Sequence, residues 1–233
     1  MQGDTGTDMA RQKDTADTAD TASTAGAARH KLTYAFDAYC GWCYGFGPTI
    51  REFAEANADR IELTVLSGGL FTGPRAQPVS AYPYIPQADA RIGELTGAVF
   101  GPGYARAFAD GTAVLDSAAA ATALAALRAQ APERTLEFAG ALQRAWYVDG
   151  RSLSAPETVR TVAAGLGGVD AGAAVAAFAD PATRRAAEAE FREVRRLGVD
   201  AFPTLLLHTP GGLRRLGGPT TSARGLTRAL DQH

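Results

Sequence analysis

Outside a single tetrapeptide the chain has no cysteine, and only His30, His208 and His233 supply imidazole. A structural zinc site needs four ligands of Cys, His or carboxylate type, usually as two paired motifs. With no second C-x-x-C and no spaced histidine pair, no metal centre is expected. Excess charge is also missing. The 23 Lys and Arg against 25 Asp and Glu leave a net charge of -2, which gives no reason to expect a nucleic acid or an anionic membrane as partner. No apolar run approaches the span of a bilayer. The first stretch has almost no large apolar residue and repeats Asp-Thr-Ala from Asp14 to Ala22. Such a segment cannot bury enough surface to offset its ordering entropy, so residues 1–29 are expected to form a disordered tail. It also lacks the basic start and apolar middle of a secretory signal, which makes the cytoplasm, a reducing compartment, the expected setting.

What the chain does have is Cys40-Gly41-Trp42-Cys43, its only two cysteines. The motif follows a strand-like run, Leu32 to Phe36, and precedes a helix-like segment. A thiol at the first turn of a helix faces unpaired backbone N–H groups and the positive end of the macrodipole, and both favour thiolate over thiol at Cys40. A second thiol three residues on can attack any mixed disulfide that Cys40 forms. The pair is therefore a two-electron redox couple. Three plainer readings compete with it: a structural disulfide, a metal half-site completed by a second subunit, and two unrelated buried thiols. A disulfide here would close a tiny loop and restrain little of the unfolded chain. The strand–turn–helix setting argues against coincidence.

With 46% apolar residues among 233, the chain can bury a full core. Leu32 to Phe36 and Ile61 to Leu66 alternate as strands, with a helix reaching about Ala58 between them, and a crossover of this length implies a parallel pair. Pro48 should kink that helix or mark a restart. A Gly- and Pro-rich loop follows from about Thr72 to Gln87, and the chain is then helical in character to Leu197. Ala118 to Leu127 is a run of helix formers, and Ser154-Ala155-Pro156-Glu157 has the form of a capping box. Asp180-Pro181 starts a helix with Ala187, Phe191, Val194 and Leu197 as its apolar stripe, and Glu188 with Arg192 is an expected i,i+4 pair. Thr204 to His208 reads as a strand covered on both faces, Leu213 to Leu216 as its antiparallel return, and Thr221 to Asp231 as a closing helix.

These residues resemble a known family. C-x-x-C at a strand-to-helix junction, a long helical insertion and then Gly198-Val199-Asp200-Ala201-Phe202-Pro203-Thr204-Leu205 look like the DsbA-like branch of the thioredoxin fold. More narrowly, Asp37 to Phe46 looks like the bacterial group of predicted protein-disulfide isomerases, which also carries segments similar to Gly68 to Phe71, Leu95 to Gly97 and Tyr147 to Arg151. The resemblance implies a mixed four-stranded sheet interrupted by an all-helical insertion. Residues 30–74 would form the first part of a thioredoxin-like domain, 75–197 the insertion and 198–233 the second part. It also implies a cis bond before Pro203, which would turn neighbouring backbone groups toward the cysteines. A substrate chain could then pair with the backbone of Phe202 or Thr204.

The function this implies is thiol–disulfide exchange, as a disulfide reductase or isomerase. Cys40 attacks, Cys43 resolves, and Trp42, Phe202, Pro203 and Thr204 contact the substrate. The expected substrate is a disulfide-bearing protein or a small thiol adduct. No bound cofactor is expected beyond the redox-active Cys40–Cys43 disulfide, with glutathione a candidate co-substrate and a further redox partner implied. Gly-Trp between the thiols lacks the His that would stabilise a thiolate by charge, so strong oxidising power is not expected. Two other readings stay open: a glutathione-dependent isomerase or transferase of the kappa-like group, against which Cys43 counts, and a binding module whose cysteines are inert or hold metal. Asp37 reads first as a residue ending a strand, and second as a carboxylate that tunes the thiols. Tyr44 and Phe46 read as core or groove wall. Tyr82, Tyr84 and Tyr147 read as core, rim or cleft lining.

Overall fold

Alternation of apolar side chains builds a central sheet whose two faces are covered by different helices. The computed structural model describes residues 29–233, so the tail expected over residues 1–29 lies outside the described residues except for Arg29. The chain begins with strand β1 (His30–Phe36), helix α1 (Gly41–Ala56) and strand β2 (Ile61–Ser67). It ends with β3 (Thr204–Thr209), β4 (Gly212–Arg215) and a closing helix, Ala223–Leu230. The strand order is β2-β1-β3-β4, with β1 and β2 parallel and the other two pairings antiparallel. Along β1 the residues follow the period of two. Leu32, Tyr34 and Phe36 join the main core with Phe46, Ile50 and Phe53 of α1, whereas Ala35 packs the other way with Leu206 and Val194.

Seven helices fill the interval between β2 and β3: α2 (Ile85–Thr96), α3 (Pro102–Asp110), α4 (Ser117–Arg128), α5 (Thr135–Tyr147), α6 (Pro156–Gly165), α7 (Ala171–Ala179) and α8 (Pro181–Arg196). The closing helix is α9. Proline stands in the first turn of α2, α3, α6 and α8, where its missing N–H removes no intrahelical bond. The block is tied back to the sheet by Glu190 of α8. Its carboxylate accepts from the Ser67 backbone N–H at 2.8 Å and pairs with Arg128 of α4. Arg128 in turn donates to the Val65 carbonyl at 3.2 Å. Together these are the four-stranded sheet and helical insertion expected of a DsbA-like thioredoxin fold.

Several local expectations change. Helix α1 runs unbroken through Pro48. The loop before α2 contains two single 3-10 turns, Gly73–Arg75 and Val79–Ala81, and α2 starts at Ile85 inside the interval read as loop. No capping box forms at α6: Ala155 is the N-cap, and the buried Ser154 hydroxyl has no hydrogen-bond partner among the described residues. Glu188 pairs with Arg184, one turn before it, at 3.0 Å instead of with Arg192. That places the pair at the same i,i+4 spacing but with the base first, the weaker orientation on a helix.

Candidate active site

The dithiol sits where β1 ends and α1 begins, so both sulfurs lie at the rim of the sheet and at a helix N-terminus. Cys40 is the N-cap of α1, and no side chain caps that end. Its backbone N–H donates to the Asp37 carbonyl at 3.1 Å, a turn that lifts the cysteine clear of the strand. Both cysteines are free thiols. Cys40 is 7% exposed and Cys43 is fully buried, so only the first offers an edge to a reagent. The Cys40 sulfur lies 3.5 Å from the carbonyl oxygen of Phe202, across the cis Phe202–Pro203 bond that the resemblance implied. Strand β3 thus delivers the Phe-Pro corner to the thiols although 162 residues separate them in sequence.

Beneath Cys43 lies Asp37. It follows the last residue of β1, as a strand-ending residue does, yet it is also almost wholly buried. Its Oδ1 accepts from the Tyr39 N–H at 2.9 Å and its Oδ2 from the Leu70 N–H at 2.8 Å. Its own N–H points at the Cys43 sulfur at 3.5 Å. Burial pushes the Asp37 carboxyl above the ordinary carboxylate range. The N–H groups of Leu70 and Tyr39 pull it back, as do the Ser117 hydroxyl and the Gly69 N–H. Burial also pushes the Cys43 thiol well up, reinforced by its hydrogen bond and charge interaction with Cys40 and opposed by the Asp37 N–H. The Cys43 thiol is thereby held protonated beside a buried acid.

The segment after β2 holds this arrangement from below. A Cβ on Gly68 would stand 2.2 Å from the Phe202 ring, so glycine is what lets Phe202 lie against the sheet end. Leu70 and Phe71 then turn their N–H groups to Asp37 and to the Ser117 hydroxyl, which is 2.8 Å from Phe71 N. From the insertion, Trp146 meets Tyr39 edge-on at 5.3 Å and Tyr147 stacks on Tyr44 at 4.6 Å. The Tyr39 hydroxyl accepts from the Leu153 N–H at 3.0 Å. Burial first of all raises the Tyr39, Tyr104 and Tyr147 phenols, which stay neutral.

On the open side of Cys40 is a cavity of about 190 Å³ between the dithiol and the insertion. Trp42, Phe71, Tyr84, Tyr104 and Tyr147 line it together with Cys40, and so does one charged side chain, Asp89 of α2. The Tyr104 hydroxyl donates to Asp89 Oδ2 at 2.6 Å. Burial pushes the Asp89 carboxyl up to about 6, with the Tyr104 bond acting the other way. Larger grooves, about 420 Å³ between α1, α5 and α6 and about 600 Å³ beside β2, contain no thiol.

The sequence-derived residues are distributed unevenly around this centre. Trp42 is half-buried and lines the cavity. Phe202 and Pro203 are half-buried beside the Cys40 sulfur, whereas the Thr204 side chain is buried and donates to the Ala201 carbonyl at 2.8 Å. Tyr84 and Tyr147 line the cavity, and Tyr82 packs edge-on against Phe71 at 4.9 Å. Asp89 and Tyr104 were not singled out by the sequence. The available signal was the placement of Asp89 on the same helix face as Ile85 and Ile92, where a charge is out of pattern. Among the described residues, no group of three or more His, Cys, Asp or Glu could hold a metal ion, and no helix is long and apolar enough to cross a membrane.

The sequence model of the DSBA-like thioredoxin domain matches residues 31–218. No curated protein matches the chain. Among solved structures, the cytosolic disulfide reductase DsbM from Pseudomonas aeruginosa is 30% identical over 87% of this chain and 98% of its own, with a TM-score of 0.72. A Nitrosomonas europaea protein proposed to be a protein disulfide isomerase has a TM-score of 0.74 at 21% identity, covering 88% of this chain and 97% of that one. Reduced DsbA1 from Neisseria meningitidis is more distant, with a TM-score of 0.54 at 13% identity over 88% of this chain and 84% of that one, and shares the fold. A match of this extent, over residues that carry the dithiol and the Phe-Pro corner alike, means that the chain belongs to the DSBA-like thioredoxin domain family and is a thiol–disulfide oxidoreductase.

Proposed function

We propose that this protein works in the reducing direction, in the cytoplasm, as a disulfide reductase that draws electrons from a low-molecular-weight thiol such as glutathione. The observation that carries the reading is the division of the dithiol: Cys40 has an edge at a substrate-sized cavity, and Cys43 is sealed beneath it beside Asp37. The similarity to a cytosolic disulfide reductase, of which a structure with glutathione is also known, supports the direction.

In the first step the Cys40 thiolate attacks one sulfur of a disulfide. The substrate S–S bond breaks, a Cys40–substrate disulfide forms, and the other half leaves as a thiolate that takes a proton from water. The Phe202 carbonyl beside the sulfur presents backbone to an extended peptide, and Trp42 presents an apolar surface. In the second step Cys43 loses its proton to Asp37 and attacks the Cys40 sulfur, releasing the second substrate half as a thiolate. A buried carboxylate of raised pKa is a stronger base than an exposed one, which suits it to a thiol that burial keeps protonated. Two small thiols then reduce the Cys40–Cys43 disulfide and leave joined as a disulfide of their own.

A coupled assay tests this reading: reduction of 2-hydroxyethyl disulfide by glutathione, with oxidised glutathione recycled and followed by NADPH consumption. The protein should accelerate the reaction, and Cys40→Ser should remove the acceleration. A protein that oxidises reduced substrate peptides faster than it reduces disulfides would reverse the proposed direction.

A further inference from the structure

The cavity beside Cys40 has an apolar, aromatic wall interrupted by a single carboxyl group. Asp89 is 6% exposed, and no other charged side chain lines the space among the described residues. Tyr104 occupies Oδ2, while Oδ1 has no hydrogen-bond partner among the described residues. Oδ1 lies over Gly41 of the cysteine motif, where an added Cβ would stand 2.7 Å from it. Glycine between the cysteines is therefore what gives this carboxyl room next to the nucleophile. Oδ1 is not sealed from solvent, so it opens on the cavity, where a cation can take the place of water and form a charge-assisted hydrogen bond. The rings of Trp42, Tyr84, Tyr104 and Tyr147 offer further attraction to a cation.

We propose that this cavity is a specificity subsite for the substrate half that becomes joined to Cys40, and that it selects a short thiol bearing a protonated amine, with Asp89 as the recognising group. The inference rests on the disulfide-reductase reading and adds to it the chemical class of the preferred substrate: small disulfides and mixed disulfides of aminothiols. A volume of about 190 Å³ holds roughly six atoms at the volume of a liquid water molecule, enough for a two-carbon aminothiol but not for a folded polypeptide segment. In the mixed disulfide the new S–S bond would anchor the sulfur at Cys40 while the ammonium group meets Asp89 Oδ1. No other reactant is needed beyond those of the proposed cycle. The groups facing Asp89 are the Tyr104 phenol from α3, the Tyr147 phenol from α5, the first turn of α1 with Cys40, and Ile92 on its own helix. Of these the two phenols stay neutral throughout the working range, because burial first and the Asp89 charge with it raise both.

The test uses three disulfides of similar length: cystamine (cationic), 2-hydroxyethyl disulfide (neutral) and 3,3′-dithiodipropionate (anionic). The single-turnover oxidation of the reduced protein by each is measured and divided by the rate of the same disulfide with free 2-mercaptoethanol, which removes intrinsic reactivity. The wild type should favour cystamine over the neutral compound and reject the anionic one. In Asp89→Asn the cystamine-to-neutral ratio should fall about tenfold, the size of one charge-assisted hydrogen bond. A ratio unchanged by the substitution would overturn the proposal. The wild type supplies a second measurement that needs no variant: the ratio should decline as pH falls through about 6, where Asp89 takes up its proton. Dividing the two rates cancels the ionisation of Cys40, so a flat ratio would overturn the proposal too. A wild-type protein that reacts with none of the three would instead overturn the reductase reading beneath it.

Discussion

Two buried aspartates flank the dithiol, and their surroundings differ. Asp37, under Cys43, has a backbone N–H on each carboxylate oxygen and is 2% exposed. Asp89, across from Cys40, has one phenol on one oxygen and an open space before the other. Burial raises both carboxyls, so burial alone does not separate their roles. The number of donors each retains does. A fully partnered buried acid has both oxygens committed to the loop that holds it, whereas a half-partnered one has an interaction left for a ligand. Measurements can break or sharpen this contrast.

The largest effects should come from the cysteines that the two acids serve. Cys40→Ser should abolish disulfide reduction, and Cys43→Ser should leave the first attack intact but stall the protein as a mixed disulfide on Cys40, visible as a mass adduct. Normal turnover by Cys43→Ser would remove the reason for assigning Asp37 to the resolving step. Next in size is Asp37→Asn. Loss of the acceptor should slow release of a thiol from the Cys40 mixed disulfide by about 10²-fold or more. In the wild type the release rate should rise with pH as Asp37 loses a proton held more tightly than in an ordinary carboxyl, and in the variant that rise should disappear. An unaltered pH profile would leave Asp37 as scaffold only.

Two glycines then compare how firmly each side is built. Gly68→Ala drives a Cβ to 2.2 Å from the Phe202 ring, which is wedged at the sheet end, and should cost about 3 kcal/mol in urea unfolding and lower turnover. Gly41→Ala meets only the ends of Asp89 and Ile92 at 2.7 and 2.8 Å, side chains that can rotate, and should cost less. The reverse order would place the rigid wall on the cavity side. The smallest effect concerns stability against pH. The Asp89 carboxyl is raised to about 6 in the folded protein, so the folded state keeps its proton after the unfolded chain has lost its own at about 4. Its contribution to stability is present below about pH 4 and is lost as pH rises through about 6. Asp89→Asn should therefore gain stability relative to the wild type between pH 4 and pH 7, on the order of 2 kcal/mol, in melts at a series of pH values. A constant difference would mean that Asp89 is not the titrating group.

The strands and both ends of the fold were legible because they rest on local rules. The alternation in Leu32 to Phe36 and Ile61 to Leu66 marks half-covered strands. The continuous Leu205-Leu206-Leu207 marks a strand covered twice, and β3 is found between β1 and β4. Asp180 was legible as a cap and does accept from the Ala182 N–H at 2.7 Å. The capping box at Ser154 failed because Leu153 is drawn into the core and its N–H to the Tyr39 hydroxyl, and this sets the path of the chain into α6 from outside the segment. Pro48 leaves α1 continuous because that helix is held along its length by Phe46, Ile50 and Phe53 in the core.

By itself the sequence determined the reaction chemistry and the order of elements. A dithiol at a strand-to-helix junction and a Phe-Pro-Thr segment near the other end are properties of a few adjacent residues. Which thiol reaches the surface, which aspartate lies beneath the sulfur and which faces the cavity were decided only by tertiary structure. Those properties arise where α1, α2, α3 and α5 pack around one point. Burial and hydrogen-bond partners are set there by residues far apart in the chain, which no local pattern encodes.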